Sequence, residues 1–323
     1  MERDPQIAVP YSETAATAGA RSLPLRRGRR FPWAPYALLL PVVLTLAAVL
    51  AYPSYKLVTL SFQKYGLFEL IQRKGHWVGL DNFDSVLHDR VFWDTVVRTV
   101  IFTIANVGLT IVLGTLIALL LTRIDRVVRT MLLVALVLVW SMPVVVAVQI
   151  FYWMTNFENG VLTYLLAQLH LTDANHDWYA TPLSSLGMVT VLIVWGALPF
   201  VVISVYAGLA QVPVELVEAA RVDGAGSARI FRDVTFPVLK PILLILTSLS
   251  IIWDFGVFAQ PYLLIGASHL DATNYLMGVY VYLKGYGDHD FGRGAAISML
   301  MILMVAILSV PYIRQMTKGD NVR

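Results

Sequence analysis

The chain of 323 residues contains no cysteine and few charged residues. The absence of cysteine excludes disulfide bridges and any metal site held by thiolates. Only 14% of the residues are charged, whereas soluble domains average about a quarter. This composition argues against an ordinary soluble domain and indicates that lipid is the main solvent of the chain.

Motifs of nucleotide and acyl-transfer chemistry are also missing. The chain has no Gly-x-x-x-x-Gly-Lys-Ser/Thr loop for ATP phosphates, no Gly-x-Ser-x-Gly elbow and no His-Glu-x-x-His pair. Its six histidines are scattered along the sequence, so no metal site is predicted. The sequence therefore predicts that this chain is not an enzyme and that any ATP it depends on is hydrolysed by another polypeptide.

Long apolar runs are what the chain does contain. Hydrophobic residues make up 58% of it, in runs of about 20 residues separated by polar segments. Such runs predict an all-α membrane protein, because a helix satisfies all of its backbone groups locally inside lipid. The predicted transmembrane spans are six, at about 35–62, 95–121, 128–151, 186–209, 238–265 and 295–313. Pro143 and Pro199 predict kinks in the third and fourth of them.

The apolar region divides the chain into three parts. Residues 1–30 are predicted to be a disordered basic tail, residues 31–314 the membrane domain and residues 315–323 a short C-terminal tail. The arginines that end the first part are compatible with a secretory signal or with a signal anchor. The apolar run that follows is too long for a cleaved signal, and this favours the anchor.

Positive charge is unevenly distributed among the polar segments. Sixteen of the 24 lysines and arginines lie in residues 1–30, in the turn after the second run, around 211–240 and at the C-terminus. By the positive-inside rule these segments lie in the cytoplasm, and six spans place both termini there. We therefore expect a multi-pass membrane protein with both termini cytoplasmic. Since the charge pattern follows membrane topology, nucleic acid is not an expected partner.

One polar segment interrupts the apolar runs in the second half of the chain. It contains Glu218-Ala219-Ala220 and Asp223-Gly224-Ala225, and it ends at Val234-Thr235-Phe236-Pro237. Pro213 suits the first turn of a helix, and Gly224 suits the left-handed residue that ends one. From the residues alone, the segment is either a docking surface for a cytoplasmic partner or a helical hairpin at the membrane surface.

This segment resembles the EAA loop of binding-protein-dependent ABC importer permeases of the carbohydrate (maltose and glycerol-phosphate) branch. The lead-in at 207–215 is similar to that branch, as are residues 78–83 (Val-Gly-Leu-Asp-Asn-Phe) and 290–296 (Asp-Phe-Gly-Arg-Gly-Ala-Ala). Two stretches depart from the pattern. The loop ends Val-x-Phe-Pro instead of Ile-x-Leu-Pro, and residues 265–269 stand where a Thr-x-Gly-Gly-Pro stretch is usual.

The resemblance implies the fold of a type I ABC importer permease, with a cytoplasmic coupling-helix loop at 211–237. Such a chain forms the path of an ATP-driven sugar importer by alternating access, with a disaccharide such as trehalose or maltose as cargo. The implied partners are a second permease subunit in a heterodimer, two ATPase subunits that bind ATP and Mg²⁺, and an extracytoplasmic sugar-binding lipoprotein. The implied location is a bacterial plasma (inner) membrane, and the chain itself is expected to bind no cofactor.

The resemblance also assigns roles within the loop. Glu218 would accept a charge-assisted hydrogen bond from an arginine of the ATPase, and Gly224 would set the angle between two short helices. The residues predicted to couple to the ATPase are Glu218, Ala219, Ala220, Asp223, Gly224, Arg229 and Pro237.

Polar and aromatic side chains inside the apolar runs are candidates for the cargo path. Polar groups within lipid usually face a cavity or another helix, and sugars bind by hydrogen bonds and by stacking on aromatic faces. The candidates are Asn106, Gln149, Trp153, Trp195, Trp253, Asp254 and Phe255. Structural roles stay open for three of them: Asn106 between helices, Trp153 as an interface anchor and Trp195 facing lipid. Asp254 is the least ordinary, because a carboxylate within a span needs a polar partner.

Two other functions stay open on the sequence alone. An ion-coupled secondary transporter predicts inverted repeats and intramembrane carboxylates, of which Asp254 is the one clear case. A membrane enzyme or scaffold subunit would need a reactive group of residues near one face, and none is apparent. The segment 211–237 separates these functions from the importer, because only the importer requires it.

Overall fold

The computed structural model describes residues 33–173, 176–266 and 269–320. The predicted tail at 1–30 lies outside these residues, and so do the last three positions of the predicted C-terminal tail. The chain divides into two compact units, Met1–Ala51 and Tyr52–Arg323. The described part of the first unit is helix α1 (Trp33–Leu46), which is followed by a π-helical turn, Ala47–Ala51.

Long apolar helices form the second unit. They are α5 (Arg90–Leu121), α9 (Pro182–Leu209), α12 (Phe236–Phe255) and α15 (Phe291–Asp320). Together with the run Pro35–Ser61, which includes α2 (Tyr52–Ser61), they make five helices in the described residues that are long and apolar enough to cross a membrane. The predicted helical membrane fold is therefore confirmed.

The third predicted span, 128–151, is a pair of helices with a sharp bend between them, at the proline where a kink was predicted. Helix α6 (Arg126–Trp140) and helix α7 (Val144–Met154) meet at an angle of 102°. Pro143 lies at the break, since proline lacks an N–H and disfavours helical geometry in the residue before it. If the bent pair crosses as one span, the described part of the chain contains the six spans predicted.

The fifth predicted span, 238–265, ends earlier than expected. Helix α12 stops at Phe255 with Gly256 as its C-cap, and a separate helix α13 (Ala259–Ile265) follows. Gly278 explains why the break is kept, because it packs directly against the carbonyl groups of Gly256 and Val257. A side chain at this position would push the backbone away.

Shorter elements connect the long helices. The strands β1 (Gln63–Lys64) and β2 (His76–Trp77) pair antiparallel, with Gln63 opposite Trp77. The remaining helices are α3 (Leu67–Gln72), α4 (Asp81–Leu87), α8 (Val161–Gln168) and α14 (Met277–Tyr282), the last followed by a π-helical turn, Leu283–Gly287.

Two sequence stretches that resemble the carbohydrate branch meet in space. Asn82 donates from Nδ2 to the carbonyl oxygens of Ser61 and Gln63, at 3.0 and 2.8 Å. The N–H of Gly292, at the start of α15, donates to the Tyr65 carbonyl at 3.1 Å. The hairpin between α2 and α4 is thus held from both sides, by residues of 78–83 and of 290–296.

Helices α5 and α9 pack closely against each other. Gly114 of α5 lies against Val201 of α9, and a Cβ added to the glycine would be 2.5 Å from Val201 Cγ1. Asn106 is completely buried in the same interface. Its Nδ2 atom donates to the Phe102 carbonyl at 2.8 Å and to Thr190 Oγ1 at 3.4 Å.

Candidate functional site

The polar segment after α9 folds as two short helices joined by a tight turn. Helix α10 (Val214–Val222) begins after Pro213, which is its N-cap, and helix α11 (Ser227–Ile230) follows. A π-helical turn, Phe231–Thr235, then leads directly into α12. Two helix ends of the bundle are therefore joined by a compact hairpin, which we name the coupling loop (residues 211–237).

Backbone bonds fix the turn between the two short helices. Gly224 has a φ of +76°, as predicted for the residue that ends α10. The Ala225 N–H donates to the Ala220 carbonyl at 2.9 Å, and the Gly224 N–H donates to the Arg221 carbonyl at 3.0 Å. This pair of bonds is a Schellman cap, which satisfies the last carbonyls of a helix without side chains.

The surface of α10 is exposed along its whole length. None of its residues is buried, and Val214, Leu216 and Val222 are 62%, 52% and 88% exposed. Glu215 and Glu218 lie exposed on the same helix, and neither carboxylate pairs with another residue in the described part of the chain. Apolar and acidic groups exposed together fit a protein partner that offers an apolar groove with a cation.

Charged side chains of the coupling loop border a small groove. Asp233 accepts from Arg232 Nε at 2.7 Å and lies 3.6 Å from Arg229 Nε. The groove has a volume of about 130 Å³ and lies between α10 and α11, where Ala220, Asp223 and Arg229 line it. Of the other predicted coupling residues, Glu218 and Ala219 are exposed on α10, Gly224 forms the turn, and Pro237 lies in the first turn of α12.

The flanking helices hold the coupling loop at both of its ends. Gly208, near the end of α9, lies against Leu239 and Ile242 of α12, and an added Cβ would be 2.5 Å from Ile242 Cδ1. Arg129 of α6 donates from Nη1 to the Tyr206 hydroxyl of α9 at 3.1 Å. The loop is therefore anchored on α9 and α12, and a hydrogen bond joins α9 to the bent pair.

A cavity of about 300 Å³ lies beside the bend between α6 and α7. Residues of α9, α12 and α13 complete its walls. We name it the aromatic cavity. Its aromatic, polar and smallest lining residues are Trp140, Trp195, Gly196, Phe200, Trp253, Asp254 and Gln260.

Three aromatic rings form a row in this cavity. Trp140 stacks on Phe200, with centroids 6.0 Å apart and planes at 20°, and Phe200 lies 5.6 Å from Trp253. Trp140 and Trp253 are more than half exposed, at 58% and 53%. Flat, accessible indole rings provide the apolar surface on which a sugar ring can stack.

Asp254 is the one charged residue that lines the aromatic cavity in the described chain. It is only 7% exposed, and its carboxylate makes no hydrogen bond or ion pair with another described residue. A buried carboxylate is costly unless polar groups reach it, and the hydroxyls of a cargo could do so. Gln260 adds an amide donor and acceptor to the same cavity.

The predicted path residues separate into two groups in the structure. Trp195, Trp253 and Asp254 come together in the aromatic cavity, and Gln149 lines a second cavity. The structure places the other three elsewhere. Phe255 is completely buried in a core with Phe92 and Met277, Asn106 is buried between α5 and α9, and Trp153 is 61% exposed and lines neither cavity.

Sequence reasoning missed Trp140, Phe200 and Gln260. The two aromatic residues lie in apolar runs where a lipid-facing ring has the same appearance, and Gln260 belongs to a helix that was predicted as part of a longer span. The bend at Pro143 brings Trp140 to the cavity. The kink predicted at that proline is the signal in the sequence that could have pointed to it.

A second cavity of about 280 Å³ lies at the end of α7. Its polar lining includes Gln149, Tyr152, Asp177, Tyr179 and His269. We name it the tyrosine cavity. No group of three or more His, Asp or Glu side chains in the described residues is placed to hold a metal ion.

The chain matches a family over residues 110–317, which include the coupling loop and every lining residue of both cavities. The family is described as the binding-protein-dependent transport system inner membrane component. This match covers more than half of the chain.

Individual relatives agree with the family match. The chain is 41% identical over 311 residues to the diacetylchitobiose uptake system permease protein DasB of Streptomyces coelicolor, covering 96% of this chain and 94% of the relative. It is 32% identical over 239 residues to the trehalose/maltose transport system permease protein MalF of Thermococcus litoralis, covering 74% and 79%.

A solved structure shares the fold. It is the crystal structure of a bacterial ABC transporter involved in the import of the acidic polysaccharide alginate. The superposition gives a TM-score of 0.75 at 17% identity and covers 89% of this chain and 96% of that chain.

These comparisons confirm the resemblance to carbohydrate ABC importer permeases and the prediction of a translocation subunit in place of an enzyme. They do not favour the ion-coupled transporter. The chain belongs to the family of inner membrane components of binding-protein-dependent transport systems.

Proposed function

We propose that this chain is a permease subunit of an ATP-driven sugar importer and forms part of the translocation path. The aromatic cavity carries the proposal. Its row of Trp140, Phe200 and Trp253 offers stacking surfaces, and Asp254 offers hydrogen-bond acceptors for hydroxyl groups. A disaccharide such as trehalose or maltose is the proposed cargo. The disaccharides named for the two relatives support this size of cargo.

The coupling loop is proposed to dock on an ATPase subunit. Glu218 would accept a hydrogen bond from an arginine of that subunit, and the exposed Val214, Leu216 and Val222 would lose contact with water in its groove. The Schellman cap at Gly224 would keep the two short helices at one angle. Closure of the ATPase dimer would then move α9 and α12 with the loop.

The proposed orientation is supported by the distribution of positive charge. The cations of the coupling loop and of both chain ends favour a cytoplasmic location for these parts, in a bacterial cell. The tyrosine cavity is formed in part by residues just before α9, whereas the coupling loop follows the other end of that helix. In this orientation the tyrosine cavity faces the outside.

The proposed assembly contains this chain, a second permease subunit, two ATPase subunits that bind ATP and Mg²⁺, and an extracytoplasmic sugar-binding lipoprotein. Binding of the loaded lipoprotein and closure of the ATPases would open the aromatic cavity outward. Hydrolysis would return it to the inward-facing state. The family description, which names dependence on a binding protein, supports this cycle.

Affinity purification of the tagged chain from native membranes tests the proposal. We expect an ATPase subunit to co-purify with the wild type, and at least about tenfold less of it with Glu218→Lys, because the reversed charge would repel the partner arginine. Glu158→Lys is the matched control, since Glu158 is an exposed glutamate in the segment between α7 and α8.

Folding is checked by size-exclusion chromatography of each variant, and Glu218→Ala provides a second, milder change. If the folded wild type were purified alone in several detergents, the importer would be ruled out for this chain. If an ATPase were retained equally by all variants, docking through Glu218 would be wrong.

A further inference from the structure

The two cavities lie in series along the same helices. Val144 and Ala147 of α7 line the aromatic cavity, and Gln149 and Tyr152, which follow on the same helix, line the tyrosine cavity. On α13, Gln260 lines the first, and Leu263 and Ile265 line the second. Both helices therefore lead from one cavity to the other.

Helix α9 gives the same order. Asp177 and Tyr179 of the tyrosine cavity precede its first residue, Pro182. The aromatic cavity is lined by residues between Leu192 and Phe200, which lie about 15–27 Å along the helix at about 1.5 Å per residue. The coupling loop follows at the far end. A cargo that crosses the bundle toward the loop would meet the tyrosine cavity first.

The lining of the tyrosine cavity has the chemistry of a sugar site. The rings of Tyr152 and Tyr179 are stacked, with centroids 6.1 Å apart and planes at 27°. Thr155 Oγ1 and the Tyr179 hydroxyl are hydrogen bonded at 2.6 Å, which fixes the second ring. Burial raises the pKa of Tyr179 to about 12, so this phenol stays neutral at physiological pH.

Amide and carboxylate groups surround the two rings. Gln149 and Asn156 line the cavity, and Asn156 uses Oδ1 to accept the N–H groups of Glu158 and Asn159, both at 3.0 Å. Asp177 accepts the Tyr179 N–H at 2.8 Å and lies 3.5 Å from His269 Nε2. Gln149, in the middle of α7, lines the wall of the cavity beside these groups.

A carboxyl group lines each cavity, and in the tyrosine cavity it lies beside His269. Each contains an aspartate, Asp254 in one and Asp177 in the other, and neither is lined by a lysine or arginine of the described chain. An anionic saccharide would meet a carboxylate in each cavity with no permanent cation to balance it. Neutral saccharides would meet only hydrogen-bonding groups and rings.

We propose that the tyrosine cavity is a second saccharide-binding site, which holds an uncharged sugar before it reaches the aromatic cavity. This inference rests on the proposed sugar import and names where the cargo binds first and which class of saccharide is accepted. With a volume of about 280 Å³, the site takes one or two sugar rings at a time.

Cysteine protection in the complete importer, reconstituted in proteoliposomes, tests the inference. The chain has no cysteine of its own, so Gln149→Cys introduces a single labelling site in it. The rate of labelling by a methanethiosulfonate reagent is measured with maltose, trehalose, diacetylchitobiose and digalacturonate. Uptake of each sugar is measured in parallel. Asn159→Cys is the control, because Asn159 is exposed nearby and does not line the cavity.

We expect the transported neutral disaccharide to slow the labelling of Gln149→Cys at least threefold, with no effect on Asn159→Cys and no protection by digalacturonate. Tyr152→Ala, combined with Gln149→Cys, should raise the sugar concentration needed for half protection, and Tyr152→Phe should not. This distinguishes a ring that binds the sugar from a change of conformation at the labelled position.

ATP-driven sugar uptake without protection at Gln149→Cys would overturn the second site and leave the proposed function standing. Protection or uptake with digalacturonate would overturn the selectivity for uncharged saccharides. Absence of uptake with every saccharide, in an assembly that still hydrolyses ATP, would overturn the proposed function and this inference with it.

Discussion

The coupling loop and the aromatic cavity are built in opposite ways. The loop is one continuous segment, and backbone bonds between neighbours such as Ala220 and Ala225 keep its shape. The cavity takes its lining from residues between Val139 and Gln260, on five helices, and packing of those helices keeps its shape. A single side chain in the cavity can therefore be replaced without changing the backbone bonds that shape the loop. Variants that affect one region and spare the other test this separation.

The largest effect is expected from Trp253→Ala, which removes one end of the aromatic row. Loss of a central aromatic contact costs about 2 kcal/mol or more, so the efficiency of sugar uptake should fall about thirtyfold. The amount of ATPase that co-purifies should not change. Trp77→Ala is the control, because Trp77 is 67% exposed in the β-hairpin and lies outside the cavity. An equal loss of uptake efficiency in both variants would show that the aromatic row has no special role. Loss of the co-purifying ATPase from Trp253→Ala would show that the cavity and the loop are not independent.

A smaller effect is expected from Gly224→Ala. Its φ of +76° is unfavourable for any residue with a Cβ, at a cost of about 1–2 kcal/mol. Stimulation of ATP hydrolysis by the loaded binding protein should fall about fivefold, whereas the sugar concentration for half-maximal uptake should stay the same.

Gly226→Ala is the matched control for that measurement. Gly226 belongs to the same loop but has a φ of −70°, and nothing lies within 4 Å of an added Cβ. It should therefore retain normal stimulation. A change in half-maximal uptake with Gly224→Ala would show that loop and cavity are not separable.

The smallest effect is expected in the scaffold that both regions share. Gly114→Ala places a methyl group against the stiff side chain of Val201 and should lower the free energy of unfolding by about 1 kcal/mol. A fall of a few degrees in the midpoint of thermal unfolding in detergent is the expected result. Gly108→Ala on the same helix meets nothing within 4 Å and should leave the midpoint equal or higher. Equal midpoints for both variants would mean that Val201 moves away from the added methyl group at little cost in free energy.

Features that depend on near neighbours could be predicted from the sequence. Pro213 predicted where a helix begins, because proline fixes its own φ angle near the helical value. Gly224 predicted where that helix ends, because glycine readily adopts the left-handed conformation. The apolar runs predicted the long helices for a similar reason, since lipid requires a continuous helix. Pro143 predicted a kink in the third run, but the sequence did not show that the kink is as sharp as 102°, because proline is compatible with both gently kinked and broken membrane helices.

Features that depend on distant residues could not be predicted. Nothing in the sequence near Trp140 shows that it stacks on Phe200, and nothing near Phe255 shows that it turns into the core while Asp254 faces the cavity. A helix presents neighbouring residues on different faces, so the partner of each face is decided only when the helices pack.

The sequence by itself determined that this chain is a membrane protein. It also determined the number of apolar segments and the position of the polar coupling loop. These properties follow from the transfer of side chains and backbone groups between water and lipid, which each segment undergoes largely alone. Only the tertiary structure decided that α6 and α7 enclose an aromatic cavity and that a second cavity lies in series with it. A cavity is the space that packing leaves between helices, and it exists only after all of them are in place.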